Sequence, residues 1–219
     1  MEVDVPEISA GIIGLHPDTG QEAVLADSSS DENTLENLEA SIRRVAESVK
    51  SDLGDVAEAW HPRLAVRVWS REGLRPCLNL SADTIRLIAS ISACLDFAPN
   101  QRNEYEDGAH GQDEPVLGNE SQSPELVVLF IGDSPETGSE SVIAKVVCQH
   151  YSLESLQACI SESVALAQIE LGVEASLWNP QVGVRLSSDR AISPALCISA
   201  GLVQQIASCG ASLDFDPYV

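Results

Sequence analysis

Positive charge is scarce in this chain. Its 219 residues carry 12 Lys and Arg against 34 Asp and Glu, a formal net charge of −22, and a field of that sign repels nucleic-acid phosphates and anionic lipid surfaces. Direct binding to nucleic acid or to a membrane is therefore not expected. The acid excess has two readings: a solubilising exterior, or an acidic face that meets a basic protein partner or imitates a nucleic acid. Aromatic residues make up only 4%, which leaves Leu, Ile, Val and Ala to fill the core. No apolar run approaches membrane-spanning length. Met1 is followed by Glu2 and Asp4, without a basic start or an apolar stretch, so no secretory signal is expected and the cytoplasm is the expected compartment.

Signature motifs of catalysis are also missing. The sequence has no HExxH, no CxxC, no GxGxxG and no Walker loop, and His16, His61, His110 and His150 have no regular placement. No catalytic set, cofactor or metal site is expected. The six cysteines are Cys77, Cys94, Cys148, Cys159, Cys197 and Cys209. They read as small core-filling residues of a reducing compartment rather than as a disulfide framework.

What is present is a repeat. The run from Trp60-His61-Pro62 to Gln101 lies without a gap over the run from Trp178-Asn179-Pro180 to Val219, with Leu95-Asp96-Phe97 answering Leu213-Asp214-Phe215. The match extends upstream to Pro6-Glu7 and Pro124-Glu125. A fixed period of this kind means one supersecondary unit used twice, and no cysteine has a cysteine at its matched place. The division expected is a first repeat over 1–101, an acidic linker over 102–123 and a second repeat over 124–219. The linker is rich in Asp, Glu, Gly, Asn and Gln, which predicts an exposed tether and the best site for proteolysis.

Pro17-Asp18-Thr19-Gly20 and Pro135-Glu136-Thr137-Gly138 sit between apolar runs and predict hairpin turns. They join strands over 8–15 and 22–27, and over 126–132 and 141–150. Residues 28–33 read as a polar loop. Thr34 and Ser152 stand at N-cap positions; Leu38, Ile42, Val45 and Val49 form a helical stripe, and the second repeat has its own stripe of Leu156, Ile160, Val164 and Ala167. The opposite face of the first helix carries Glu39, Arg43, Arg44, Glu47 and Lys50, a solvated salt-bridging surface. In the second helix Ser155, Ser161, Ser163 and Gln168 replace that charge, either as a contact face or as a mild exterior. Gly54 and Gly172 suit helix C-terminal caps.

Strands over 64–70 and 182–188 put Leu64, Val66 and Val68 on one face and Arg67, with its counterpart Arg185, on the other. A second hairpin is expected to run from them into 75–80 and 193–198. Ser81 and Ser199 then cap short helices, and each repeat closes on a strand that buries Leu95 and Phe97, or Leu213 and Phe215, and turns Asp96 or Asp214 away. Trp60 and Trp178 read first as packing anchors and second as ligand-stacking residues. Asp96 and Asp214 read first as partners of an arginine or a loop amide and second as acid–base groups.

The ending Leu213-Asp214-Phe215-Asp216-Pro217-Tyr218-Val219, preceded by Pro194-Ala195-Leu196-Cys197-Ile198-Ser199, resembles a bacterial family of uncharacterised domains that close with a leucine, an aspartate-bearing strand and a tyrosine. The resemblance covers Ser152 to Val219 and implies a bacterial cytoplasmic protein, with no reaction attached. The first repeat departs from it, with Ala98 and Asn100 in place of Asp216 and Tyr218.

The fold expected is α+β: two tandem ferredoxin-like ββαββαβ domains, each an antiparallel sheet with two helices on one face, related as a pseudo-twofold dimer within a monomer. Two functions of different class follow. One is a non-catalytic acidic interaction protein, an immunity-type antagonist of a basic partner such as a nuclease. The other is a small-ligand or enzymatic module with a site between the repeats. Arg67, Arg185, Trp60, Trp178, Asp96, Asp214, Asp216 and Tyr218 are the candidate binding residues.

Overall fold

The computed structural model describes residues 7–70, 77–101, 125–187 and 195–216. The first half holds β1 (Ile8–Leu15), β2 (Glu22–Ser30), α1 (Leu35–Leu53), a 3₁₀ run (Gly54–Trp60), β3 (Arg63–Ser70), β4 (Leu78–Leu80), α2 (Ala82–Ser90) and β5 (Cys94–Gln101). The second half repeats that order: β6 (Glu125–Asp133), β7 (Glu140–Cys148), α3 (Leu153–Leu171), a 3₁₀ run (Gly172–Trp178), β8 (Gln181–Ser187), β9 (Leu196–Ile198), α4 (Ala200–Ser208) and β10 (Ser212–Asp216). The expected linker, 102–123, lies outside the described residues, and no helix among the described residues is long and apolar enough to cross a membrane.

Local chemistry sets these boundaries twice over. The β1–β2 and β6–β7 turns close with Gly20 N–H donating to His16 O and Gly138 N–H to Ser134 O, both at 2.7 Å. Each of these glycines has the positive φ that the turn requires, 66° and 67°. The hydroxyl of Thr34 accepts from Asn37 N–H, that of Ser152 accepts from Ser155 N–H, and Gly54 and Gly172 end the two long helices. The loop expected at 28–33 is shorter than its composition suggests. β2 continues to Ser30, because Ser28 is buried and accepts a hydrogen bond from Arg44 Nη1 at 3.0 Å.

Strand pairing departs from expectation in two ways. The sheets are mixed rather than antiparallel: β1 runs antiparallel to β2 and β3, but β3 and β5 are parallel, as are β8 and β10. The reason is that β5 and β10 are reached through a helix, and a helical crossover returns the chain in its original direction. Nor does β4 form a hairpin with β3. Both edges of β3 are already taken by β1 and β5, so β4 crosses to the other repeat and pairs antiparallel with β10, Leu80 facing Leu213 and Leu78 facing Phe215. β9 makes the reciprocal move onto β5, Ile198 facing Leu95 and Leu196 facing Phe97. The resulting five-stranded sheets run β2-β1-β3-β5-β9 and β4-β10-β8-β6-β7. Each is completed by a strand from the opposite half.

The two halves also share their interior. The alternating strand residues and the helical stripes form one hydrophobic cluster that includes Ile8, Leu64 and Phe97 from the first repeat with Leu126, Val184 and Phe215 from the second. Phe97 and Phe215 meet edge to face across the halves with ring centroids 6.0 Å apart, a favoured aromatic geometry. α2 packs on α4. Such reciprocity, each half giving what it receives, is the pattern of an isologous dimer interface.

Glu39 ties α1 to α2. Its Oε1 accepts from Ser81 N–H at 2.9 Å and from the Ser81 and Thr84 hydroxyls, both at 2.5 Å, so a position read as solvated surface is a buttress for the α2 N-cap. Burial pushes the Glu39 carboxyl up, but the bonds from Ser81 and Thr84, aided by the charge of Arg43, outweigh it and hold the group below its ordinary value of 4.5. A depressed folded-state value means a contribution present above 4.5 and lost as the pH falls through the lower value. Glu39→Gln is expected to cost about 1–3 kcal/mol near neutral pH. The gap between variant and parent in urea denaturation should close as the pH is taken well below 4.5; a gap that persists in acid would remove the carboxylate from this account.

Candidate functional site

Each sheet has a second face, turned from the core, where the candidate polar residues lie. On the first sheet Ser9, Arg67 and Ala98 form one row and Gly11, Ala65, Asp96 and Cys197 the next. On the second sheet the equivalent rows are Val127, Arg185 and Asp216, then Leu129, Gly183, Asp214 and Asn79. Arg67 reaches diagonally to Asp96, Nη2 to Oδ2 at 3.4 Å, and Arg185 to Asp214 at 2.5 Å. Arg185 also donates to the Val184 and Asp214 carbonyl oxygens. Parallel register makes both pairs, because it sets the aspartate one row along from its arginine. Asp216 stands opposite Arg185 on the neighbouring strand. Tyr218 lies outside the described residues.

The matched arginines and aspartates therefore come together, repeat by repeat, as half-buried ion pairs. The tryptophans belong to a different part of each repeat. Trp60 ends the first 3₁₀ run against His16, ring centroids 4.9 Å apart. A Cβ on Gly14 would lie 3.0 Å from the Trp60 carbonyl oxygen, and one on Gly132 would lie 2.9 Å from that of Trp178. The repeated Ile-Gly pairs thus let β1 and β6 pass close to the tryptophan turns, the role of packing anchors. A surface depression of about 170 Å³ beside Trp178 is lined by Gly132, Asp133, Glu140, Asn179, Gln181 and Ser212. It is smaller than the usual small-molecule site and is lined by neither arginine nor tryptophan.

The cysteines sit at strand ends, along the sheets and on helices, and all six are free thiols. Burial first, then the Asp216 and Asp214 carboxylates, push the Cys77 thiol up, and burial likewise pushes up Cys94 and Cys197. A nucleophile or metal ligand needs the opposite shift. Among the described residues no three His, Cys, Asp or Glu side chains are grouped as a metal would require.

Of the residues the sequence singled out on α3, Gln168 is exposed, while Ser155 and Ser161 are half-buried. Ser163 is buried with its hydroxyl unpartnered, where the first repeat has Val45. Ser161 and Gln168 turn to α4, where they meet Gln205 and Ser208. Besides Leu153 at the helix start, whose match Leu35 is also exposed, the exposed large apolar side chains here are Leu166, Ile169 and, in the following 3₁₀ run, Leu177, with 43, 81 and 64% of their surface open. Their matched residues in the first repeat are Ser48, Ser51 and Ala59. That difference lies between the two repeats rather than in the spacing of either one.

No protein-family model, curated protein or solved structure matches the chain.

Proposed function

We propose that this is a non-catalytic interaction protein whose acidic surface engages a basic protein partner, in the manner of an immunity-type antagonist. One observation supports it above the rest: half of the eight Lys and Arg side chains among the described residues are already paired with acids of the same chain. Arg67, Arg185, Arg43 and Arg86 each pair with a carboxylate of their own repeat, and the acids outnumber the cations by 22 over the whole chain, an excess that only an outside partner can neutralise. The same pairing disfavours a ligand site between the repeats lined by Arg67, Arg185, Trp60 and Trp178, because both arginines already have an anion.

Long-range attraction of this kind speeds association and weakens as salt screens it. Calorimetric titration of the full chain with a basic nuclease is expected to give binding that weakens steadily as ionic strength rises, together with loss of the nuclease's activity. Binding indifferent to salt, or no binding at low salt, would sink the reading.

A further inference from the structure

The acidic surface is not uniform, and one part of it is built differently. On α3, Leu166 and Ile169 project one turn apart, and Leu177 follows in the next segment. All three are exposed, although side chains of this kind gain most from burial. Glu162 and Glu170 lie one turn either side of Leu166, and Glu174 lies between them and Leu177. All three carboxylates are exposed and none is in an ion pair among the described residues. No Lys, Arg or His occurs between His150 and Arg185, so this face has no cation of its own. The matching face of the first repeat is unlike it: Ser48 and Ser51 replace Leu166 and Ile169, an exposed Val56 stands in place of Glu174, and Arg43, Arg44 and Lys50 supply positive charge.

We infer that the α3 face, with the 3₁₀ run after it, is the docking surface for a cationic amphipathic segment, a helix whose apolar ridge seats on Leu166, Ile169 and Leu177 while flanking Lys or Arg residues reach Glu162, Glu170 and Glu174. Charge selects this occupant over the others. A second copy of the chain would bring the same carboxylates against themselves, and an anionic lipid surface would be repelled. The inference rests on the acidic-interaction reading above and locates it on one repeat.

The test uses the full chain and two fluorescein-labelled peptides of equal charge, one an 18-residue helix of leucine and lysine with helical periodicity, the other lysine and serine only. Anisotropy titrations compare the parent with Leu166→Ser/Ile169→Ser, which installs the residues of the first repeat, and with Leu166→Gln/Ile169→Gln, which favours the helix. Val24→Ser/Val142→Ser removes exposed apolar residues elsewhere as a control. The amphipathic peptide should bind the parent more tightly than the polar one. Both α3 variants should lose about tenfold in affinity for the amphipathic peptide, as expected for two apolar side chains leaving a contact, with no change for the polar peptide or in the control. Equal affinities for the two peptides, or α3 variants that bind like the parent, overturn the inference and leave the acidic reading standing. A parent that binds neither peptide overturns both. A dimer seen by light scattering, or binding to zwitterionic vesicles, that is lost in the α3 variants would give the face to that occupant instead.

Discussion

Phe97→Ala and Phe215→Ala are each expected to destabilise the entire chain, not one half of it, by about 3–5 kcal/mol, the usual cost of removing a fully buried aromatic ring. Both rings are fully buried, each on the strand that receives the other repeat's short strand: Phe97 faces Leu196, and Phe215 faces Leu78. Removing either one opens a cavity at the seam between the halves. Because the rings also touch each other, the double variant should cost less than the sum of the singles, by about 0.5–1.5 kcal/mol. Urea denaturation read through variants that keep only Trp60 or only Trp178 provides the check. The two probes should report one coincident transition in the parent and in each Phe variant. Separate transitions, with Phe97→Ala moving only the Trp60 signal, would mean that the halves unfold independently and that the shared core has been overvalued.

Cutting the chain between the repeats is expected to leave them together. With a protease site introduced between 102 and 123, the cleaved halves should co-elute at the size of the intact chain and dissociate only when the protein is denatured. Exchange of β4 and β9 means that separation costs each sheet an edge strand as well as the contact between α2 and α4. A segment 1–101 made alone would present the β5 edge with Leu95, Asp96 and Phe97 unpaired, while Leu78–Leu80 would have no sheet to join. Exposed edges of this kind recruit partners. The isolated segment should therefore be unfolded or self-associated, and equimolar mixing with 124–219 should restore one folded heterodimer. Two stable monomers that ignore each other would contradict the exchange.

Much of the local structure could be read from residue types. β1 was legible to its last residue because its apolar run stops at the Pro17-Asp18-Thr19-Gly20 turn, and the Thr34, Ser152, Ser81 and Ser199 caps each announce a helix. The pairing of β4 was not legible. Leu78-Asn79-Leu80 alternates equally well against any sheet edge, and its partner is decided only by β1 and β5 occupying both sides of β3, a non-local fact. The same limit applied to Glu39, which lies on the polar side of its helix in sequence and becomes a cap buttress only once α2 is placed beside α1. The Arg67–Asp96 and Arg185–Asp214 pairs were half legible. Their recurrence in both repeats singled them out, but which residues met depended on β5 and β10 running parallel to their neighbours. The apolar positions of α3 escaped because their signal is a difference between repeats rather than a pattern within one.

Were this assembly made of two identical chains, any substitution would appear on both sides at once, and a sticky leucine would double its risk of uncontrolled aggregation. Joined in tandem, the halves hold each other at an effectively fixed high concentration while remaining free to differ. A serine at 48 can coexist with a leucine at 166, so that one flank stays inert while its twin specialises.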